Sequence, residues 1–223
     1  MKRAEGLIAA ELAELRGALR SALVSDALDA IGRRHQALGT DIARLAGRGV
    51  LVGRAYTAAA EPAGAVPEVA YVGLRRVLEG LAPDDVFVFA TVRSDAYAAW
   101  GELTSMAAQG AGAVGFVTDG LIRDLPQVER LGFGMYARGM TPRDINGRAE
   151  VVRLGEPVVI DGILISPGDL IVGDEDGVVV VPLAVAREVV DRALAKAGDE
   201  ASFHAAVGRG LPVMDALTRF DIL

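Results

Sequence analysis

The stretch "DGLIRD", residues 119–124, follows the apolar run "AVGFVT" and places Asp119, Arg123 and Asp124 within six positions. A buried strand that delivers charged groups to its carboxyl end does so where α/β folds place ligands. Arg123 offers a planar guanidinium that can clamp a carboxylate, and Asp124 a hard oxygen donor for a cation. The same residues also have a purely structural reading. Asp124 is a helix N-cap with Pro126 tolerated in the first turn and Gln127 three residues on, as in a capping box, while Asp119-Gly120 turns the chain. From these six residues alone both readings stand.

Composition restricts the chemistry more sharply than any motif does. The 223 residues carry a net charge of −7, no cysteine, two histidines (His35 and His204) and two lysines (Lys2 and Lys196). Without cysteine there is no thiolate nucleophile and no Cys-ligated zinc. His35 lies in a polar stretch beside Arg33 and Arg34, and His204 on the terminal helix, neither with a partner at metal-ligand spacing. A nucleophile elbow of the G-x-S-x-G kind is missing from the sequence, which removes the usual hydrolase route. The arginines are scattered and form no basic stripe, so nucleic acid is not an expected partner. The longest apolar run, "VVVVPLAVA", falls far short of the roughly 18 residues that suggest a membrane span. Glu5, Glu11, Glu14 and Arg16 interrupt any signal-like stretch at the N-terminus. A cytoplasmic protein is expected.

Two further motifs fail on context. "GAGAVG", residues 110–115, has dinucleotide-type glycines, but that chemistry needs a strand before and a helix after, and here a helix precedes and a strand follows. "DEDG", residues 174–177, lacks the remaining spacing of a calcium loop and reads as a hairpin turn.

The elements that must position these residues are legible from periodicity. Ile8, Leu12, Leu15, Leu19 and Leu23 predict an amphipathic helix over about residues 4–24, followed by a shorter one, "SDALDAIG", with Ser25 as N-cap and Gly32 as terminating glycine. "GVLVGRAYTAAA" reads as a strand, "VPEVAYVGLRRVLEGL" as a helix, "VFVFATV" as a strand and "WGELTSMAAQGAG" as a helix. After about residue 150 come short strands with hairpin punctuation, and then a long helix from about residue 183. The whole predicts one mixed α/β domain over residues 1–223, long enough to bury roughly 70% of its unfolded surface.

Taken together, "WGELTSMAAQGAGAVGFVTDGLIRD", with "SDALDAIG" and "GRAYTA" before it and "PGDLIVGDEDGVVVVP" after it, resembles the family of class II 4-hydroxy-4-methyl-2-oxoglutarate aldolases and regulators of ribonuclease E activity, the RraA-like proteins. The resemblance runs over roughly residues 20–215. It implies a three-layer β/β/α swivelling-domain fold of the phosphohistidine-domain type, assembled as a homotrimer or homohexamer. It also implies that Asp124 ligates Mg2+ or Mn2+, that Arg123 binds the carboxylate of a 2-oxo acid, and that Gly101, Glu102, Leu103 and Thr104 hold the pyruvyl unit at a helix start. Glu102 is implied to hold water in the metal's shell, and Glu200 is implied as an acid reaching a neighbouring subunit's site. Many members carry Leu where Thr104 stands, which changes the pocket wall. Ribonuclease regulators resemble glycine at position 102, so Glu102 points to an enzyme.

That chemistry suits the composition. Cleaving a 4-hydroxy-2-oxo acid, or decarboxylating oxaloacetate, leaves the enolate of pyruvate, which proteins stabilise with a lysine imine or a metal. Lys2 is terminal and Lys196 lies in the exposed pattern of a long helix, so the metal route is expected, with a hard ion on carboxylate and water. The alternatives are a non-catalytic ribonuclease-binding regulator, and a lyase acting on some other 2-oxo acid.

Overall fold

The computed structural model describes residues 9–220. Its elements are, in order, α1 (Ala9–Ala18), α2 (Ser21–Ala30), β1 (Ala43–Ala46), β2 (Leu51–Pro62), α3 (Val72–Gly80), β3 (Asp85–Ala90), β4 (Ala98–Trp100), α4 (Glu102–Gly110), β5 (Gly115–Thr118), β6 (Leu121–Ile122), α5 (Leu125–Leu131), β7 (Gly134–Ala137), β8 (Gly139–Met140), β9 (Ala149–Leu154), β10 (Val158–Ile160), β11 (Ile163–Ile165), β12 (Leu170–Asp174), β13 (Gly177–Val181), α6 (Ala186–Gly208) and α7 (Val213–Phe220). A short 3-10 turn, Leu183–Val185, leads into α6. The fold is a mixed α/β domain around a curled sheet.

The sheet runs β1-β7-β5-β3-β2-β12-β13, with β9 on the far half of β2. Its centre is parallel (β2, β3, β5, β7), and β1, β9, β12 and β13 add antiparallel margins. Alternation along the strands sorts the two faces. Phe87, Phe89 and Phe116 point toward α3–α5, whereas Val86, Val88 and Val117 face the β10–β11 hairpin. On the helical side of the other end, Val52, Leu170, Val172, Val179 and Val181 pack against α1, α2 and α6. The β10–β11 turn places Asp161 (φ 51°) and Gly162 (φ 78°) at two consecutive left-handed positions, the geometry that matches strand twist in a two-residue hairpin. "DEDG" is likewise a hairpin, joining β12 to β13 with Asp174 opposite Gly177.

The expected helix over residues 4–24 is instead two helices, with the break at Leu19-Arg20; its first residues, Ile8 included, lie outside the described part. The cause is a carboxylate distant in sequence. Asp174 accepts hydrogen bonds from the Ser21 N–H (2.7 Å) and Ser21 hydroxyl (2.6 Å), so α2 starts at Ser21, and Ser25, expected as its N-cap, sits inside it. Leu12, Leu15, Leu19 and Leu23 are nevertheless buried as their spacing predicts. Gly32 (φ 78°) ends α2, as expected. The helix expected from Val66 starts only at Val72, preceded by Tyr71 in the left-handed region (φ 61°, ψ 23°). No helix among the described residues is long and apolar enough to cross a membrane.

Candidate functional site

Three successive parallel strands set up the site. After β3, β5 and β7 the chain adds a strand of two or three residues, and these three, β4, β6 and β8, pair in parallel as a second small sheet. Gly101-Glu102 and Arg123-Asp124 therefore emerge at the carboxyl ends of adjacent strands, tied by a 3.0 Å bond from the Arg123 N–H to the Trp100 carbonyl. The base is rigid. Trp100 is 2% exposed, stacks on Phe116 (centroids 4.9 Å apart, 11° between planes) and lies 5.0 Å from Phe87. Such ring pairs add about 0.5–1.5 kcal/mol each beyond the burial of their area.

A cleft of about 310 Å3 opens above this sheet, lined by Gly101, Glu102, Leu103, Thr104, Arg123 and Asp124, with α3 forming the facing wall. All the sequence-predicted site residues except Glu200 thus meet in one place. Glu200, on α6, is ion-paired with Arg20 and does not line the cleft.

Asp124 occupies the N-cap position of α5, as the structural reading expected, but its side chain makes no cap bond, and the capping box with Gln127 does not form. The reason is backbone conformation: Asp124 is left-handed (φ 59°, ψ 32°), which turns its carboxylate away from the α5 amides and toward Gly101. Its carbonyl, rather than its side chain, accepts from Gln127 and Val128. Oδ2 lies 3.4 Å from the Glu102 N–H and 3.6 Å from the Arg123 Nε. The adjacent Arg123 and Asp124 side chains thus converge, and both remain partly open to solvent, 37% and 41% exposed.

Gly101 makes this possible. A Cβ there would stand 2.7 Å from Asp124 Oδ2 and 3.0 Å from Arg123 Cγ. Gly101 is also the N-cap of α4 and has no side chain to cap its first turn; the Glu102 N–H points at Asp124 Oδ2, and Leu103 and Thr104 line the cleft at the same positive dipole end. Thr104 folds back, its hydroxyl within 3.1 Å of the Gly101 N–H and 3.0 Å of the Gly101 carbonyl. Threonine here caps the turn locally, where leucine would only add apolar wall.

Among the lining residues not expected from the sequence, three carry a charge or a hydroxyl: Tyr71, Arg75 and Asp144. Asp144 Oδ2 accepts a 2.7 Å bond from the Tyr71 hydroxyl and lies 3.4 Å from Arg123 Nη1, while Oδ1 accepts from the Asn146 N–H at 3.1 Å. Burial pushes the Asp144 carboxyl up, but the Tyr71 hydroxyl, the Asn146 amide and Arg123 outweigh it and hold it below the usual carboxylate range. The Tyr71 phenol is raised, first by its bond to Asp144 and then by burial. One sequence signal existed: Arg143-Asp144 repeats the arginine–aspartate pairing of Arg123-Asp124 after the next strand of the small sheet.

Among the described residues there is no group of three or more His, Asp or Glu able to enclose a metal. A hard divalent ion that keeps most of its waters needs only one or two carboxylates. The solvent-reaching Asp124 carboxylate, seated over a Cβ-free Gly101 with Glu102 beside it, fits that donor set. Asp119, expected only to turn the chain, is 2% exposed and holds the 91–93 turn, accepting from the Thr91 N–H (2.6 Å), Thr91 hydroxyl (2.9 Å) and Arg93 N–H (2.9 Å).

Known proteins resemble this chain in sequence and fold. A Halalkalibacterium halodurans protein provisionally named as a 4-hydroxy-4-methyl-2-oxoglutarate aldolase is 34% identical over 125 residues, 56% of this chain and 59% of that protein. The chain thus aligns with less than two thirds of that relative's length. Among solved structures, an uncharacterized protein from Pseudomonas syringae pv. tomato superposes with a TM-score of 0.82 at 30% identity, covering 95% of this chain and 98% of that one. The Streptomyces coelicolor protein RraAS2, described as an unusual member of the RNase ES inhibitor RraA family, gives 0.76 at 30% identity, covering 90% and 97%. The RraA-like family model, described as Aldolase/RraA, matches residues 21–180, which span both small-sheet loops that build the cleft, and the chain belongs to that family.

Proposed function

We propose that this protein is a divalent-metal-dependent lyase that cleaves a 4-hydroxy-2-oxo acid, of the 4-hydroxy-4-methyl-2-oxoglutarate kind, to pyruvate, and that it also decarboxylates oxaloacetate. The observation that carries the reading is the convergence of the Arg123 guanidinium, the Asp124 carboxylate and the N-terminus of α4 on one cleft. Asp124 would hold Mg2+ or Mn2+, with Glu102 beside it. The ion, when bound, supplies Lewis-acid withdrawal of electron density from the 2-oxo group.

The chain's own residues supply the rest. Arg123 and the Leu103 and Thr104 amides of α4 receive the substrate's C1 carboxylate, Arg123 through its planar fork and the amides through the helix terminus. That contact fixes the 2-oxo group over the Asp124 side of the cleft. Glu102, through water, accepts the proton of the 4-hydroxyl as the C3–C4 bond breaks and its electron pair passes into the enolate of pyruvate. The Arg123 cation lies beside that developing charge, and such preset electrostatics carry most of the barrier reduction in reactions of this type. A proton returned through Glu102 to C3 completes pyruvate; with oxaloacetate, carbon dioxide leaves in place of the carbonyl fragment and the proton that C3 takes up comes from solvent through Glu102. A lysine imine has no candidate among the described residues, because Lys196 is ion-paired to Asp26 away from the cleft.

The hairpin on one sheet face and helices on the other support the swivelling-domain description. Exposed Val66, Val69 and Val72 support assembly as a homotrimer or homohexamer, in which Glu200 would reach a neighbour's site. A cytoplasmic setting suits the substrate class. A second reading, a non-catalytic ribonuclease regulator, draws on the likeness to RraAS2; Glu102 at the cleft favours the lyase. The test is pyruvate release, coupled to lactate dehydrogenase, across a panel of 4-hydroxy-2-oxo acids and oxaloacetate with and without magnesium. Metal-dependent release from one or more of them is expected. No release from any, together with tight ribonuclease capture in a pull-down, would favour the regulator.

A further inference from the structure

We infer that Tyr71 and Asp144 are positioning residues that hold the Arg123 guanidinium in the orientation needed to receive the 2-oxo acid carboxylate; the inference rests on the lyase reading and names a component of its site that the sequence did not reveal. Three separate chain segments converge to do this. Arg123 extends from the end of β6, Asp144 from the loop after β8, and Tyr71 from the start of α3, where Tyr71, Leu74, Arg75 and Leu78 present one helical face to the cleft.

An arginine this open to solvent has several rotamers available unless something anchors it. Arg123 is held at two points: Nε lies 3.6 Å from Asp124 Oδ2, and Nη1 lies 3.4 Å from Asp144 Oδ2. Both are ion pairs longer than a hydrogen bond, so they bias the plane of the guanidinium and leave its five N–H donors for a ligand. Asp144 is fixed in turn. Its Oδ2 accepts the Tyr71 hydroxyl at 2.7 Å, and its Oδ1 accepts the Asn146 amide at 3.1 Å.

The Tyr71 hydroxyl also answers an electrostatic problem. A bare aspartate beside a carboxylate-binding arginine would compete with the substrate for the cation. A phenol donating into Oδ2 draws off part of that charge, so Asp144 orients Arg123 without capturing it. The hydroxyl is held in place at a cost to the backbone. Tyr71 is left-handed (φ 61°), an outlier for a bulky residue and of the kind that collects at ligand sites.

The experiment is a double-mutant cycle read in two ways on the full chain. Tyr71→Phe removes one hydroxyl, and Asp144→Asn removes the charge while keeping the shape. With magnesium and oxaloacetate, Tyr71→Phe is expected to lower kcat/KM about fivefold and Asp144→Asn about tenfold or more, within the range produced by sub-ångström misplacement of a binding group. In an Arg123→Lys background, which has no planar fork to orient, the same changes are expected to cost less than twofold. Melting temperature of every variant, followed by circular dichroism, separates this from unfolding. The second readout needs no turnover: 15N relaxation of the Arg123 Nε–Hε group, assigned by its loss in Arg123→Lys, is expected to report an ordered side chain in the wild type and a mobile one in Tyr71→Phe. Equal penalties in both backgrounds, or an Nε–Hε group whose order is unchanged by Tyr71→Phe, would overturn the inference. If the wild-type protein releases no pyruvate from any substrate, the lyase reading falls, and the relaxation measurement alone decides whether Tyr71 and Asp144 hold Arg123.

Discussion

Replacing Gly101 with alanine tests the site geometry with a single methyl group. The Gly101 backbone is extended (φ −162°, ψ −161°), so alanine brings no backbone strain. Its Cβ would stand 2.7 Å from Asp124 Oδ2, 3.0 Å from Arg123 Cγ and 3.5 Å from Arg123 Nε, where ordinary contact begins at 3.4 Å. The carboxylate must therefore retreat by about 0.7 Å (3.4 less 2.7) and the arginine stem by about 0.4 Å (3.4 less 3.0). Both side chains have solvent to move into, so the stability cost is expected near the low end for overpacking, about 1 kcal/mol. The functional cost is larger, because both groups shift together relative to the α4 amides. A displacement approaching 1 Å costs up to about a hundredfold in rate, or about 2.7 kcal/mol. Pyruvate release by Gly101→Ala, beside a urea titration of the same preparation, measures both quantities. Wild-type turnover in Gly101→Ala, or a loss no larger than the loss of folded protein, would refute the placement of Asp124 and Arg123 over Gly101.

Other perturbations separate the forces that support the site. Asp144 has a depressed carboxyl pKa in the folded protein, so its stabilising contribution is complete above the unfolded value of about 3.9 and disappears as pH falls through the lower folded value. The difference in unfolding free energy between wild type and Asp144→Asn is therefore expected to be constant from pH 7 to about 5 and to shrink below about pH 4, as read by urea titrations at each pH. Asp174→Ala removes the acceptor for the Ser21 N–H and hydroxyl and for the Asp176 N–H, and leaves the start of α2 uncapped in a buried setting. A loss of about 2–3 kcal/mol is expected from the denaturation midpoint. Val92 is 79% exposed and left-handed (φ 54°), a strained position for a β-branched residue, so Val92→Gly is expected to raise the melting temperature by the equivalent of about 1 kcal/mol.

The sequence made plain whatever depends on local pattern. β2, β3 and β5 follow from apolar runs and alternation, the β12–β13 hairpin from "DEDG", and the C-terminal helix from its spacing. Arg123, Asp124 and the Gly101–Thr104 turn were legible through their motif, and they share one cleft. What escaped was set by contacts between distant segments. The helix expected over residues 4–24 breaks because Asp174, some 150 residues on, caps Ser21. The small sheet of β4, β6 and β8 has strands too short for any periodicity, yet it aligns the two site loops. Asp124 was rightly placed at a helix start, but a left-handed backbone that no spacing reveals sends its side chain to the cleft and not to the cap. Tyr71 and Asp144 meet across 73 positions, and nothing in either segment alone points to the other.

The proposed activity stands most directly on the Asp124 carboxylate. Pyruvate release from 4-hydroxy-4-methyl-2-oxoglutarate and from oxaloacetate would be followed for wild type and for Asp124→Ala, each treated with EDTA and then titrated with Mg2+ or Mn2+. The account predicts that EDTA silences the wild type, that added metal restores it, and that Asp124→Ala stays folded and silent at every metal concentration. Pyruvate release that survives both EDTA and Asp124→Ala would contradict it.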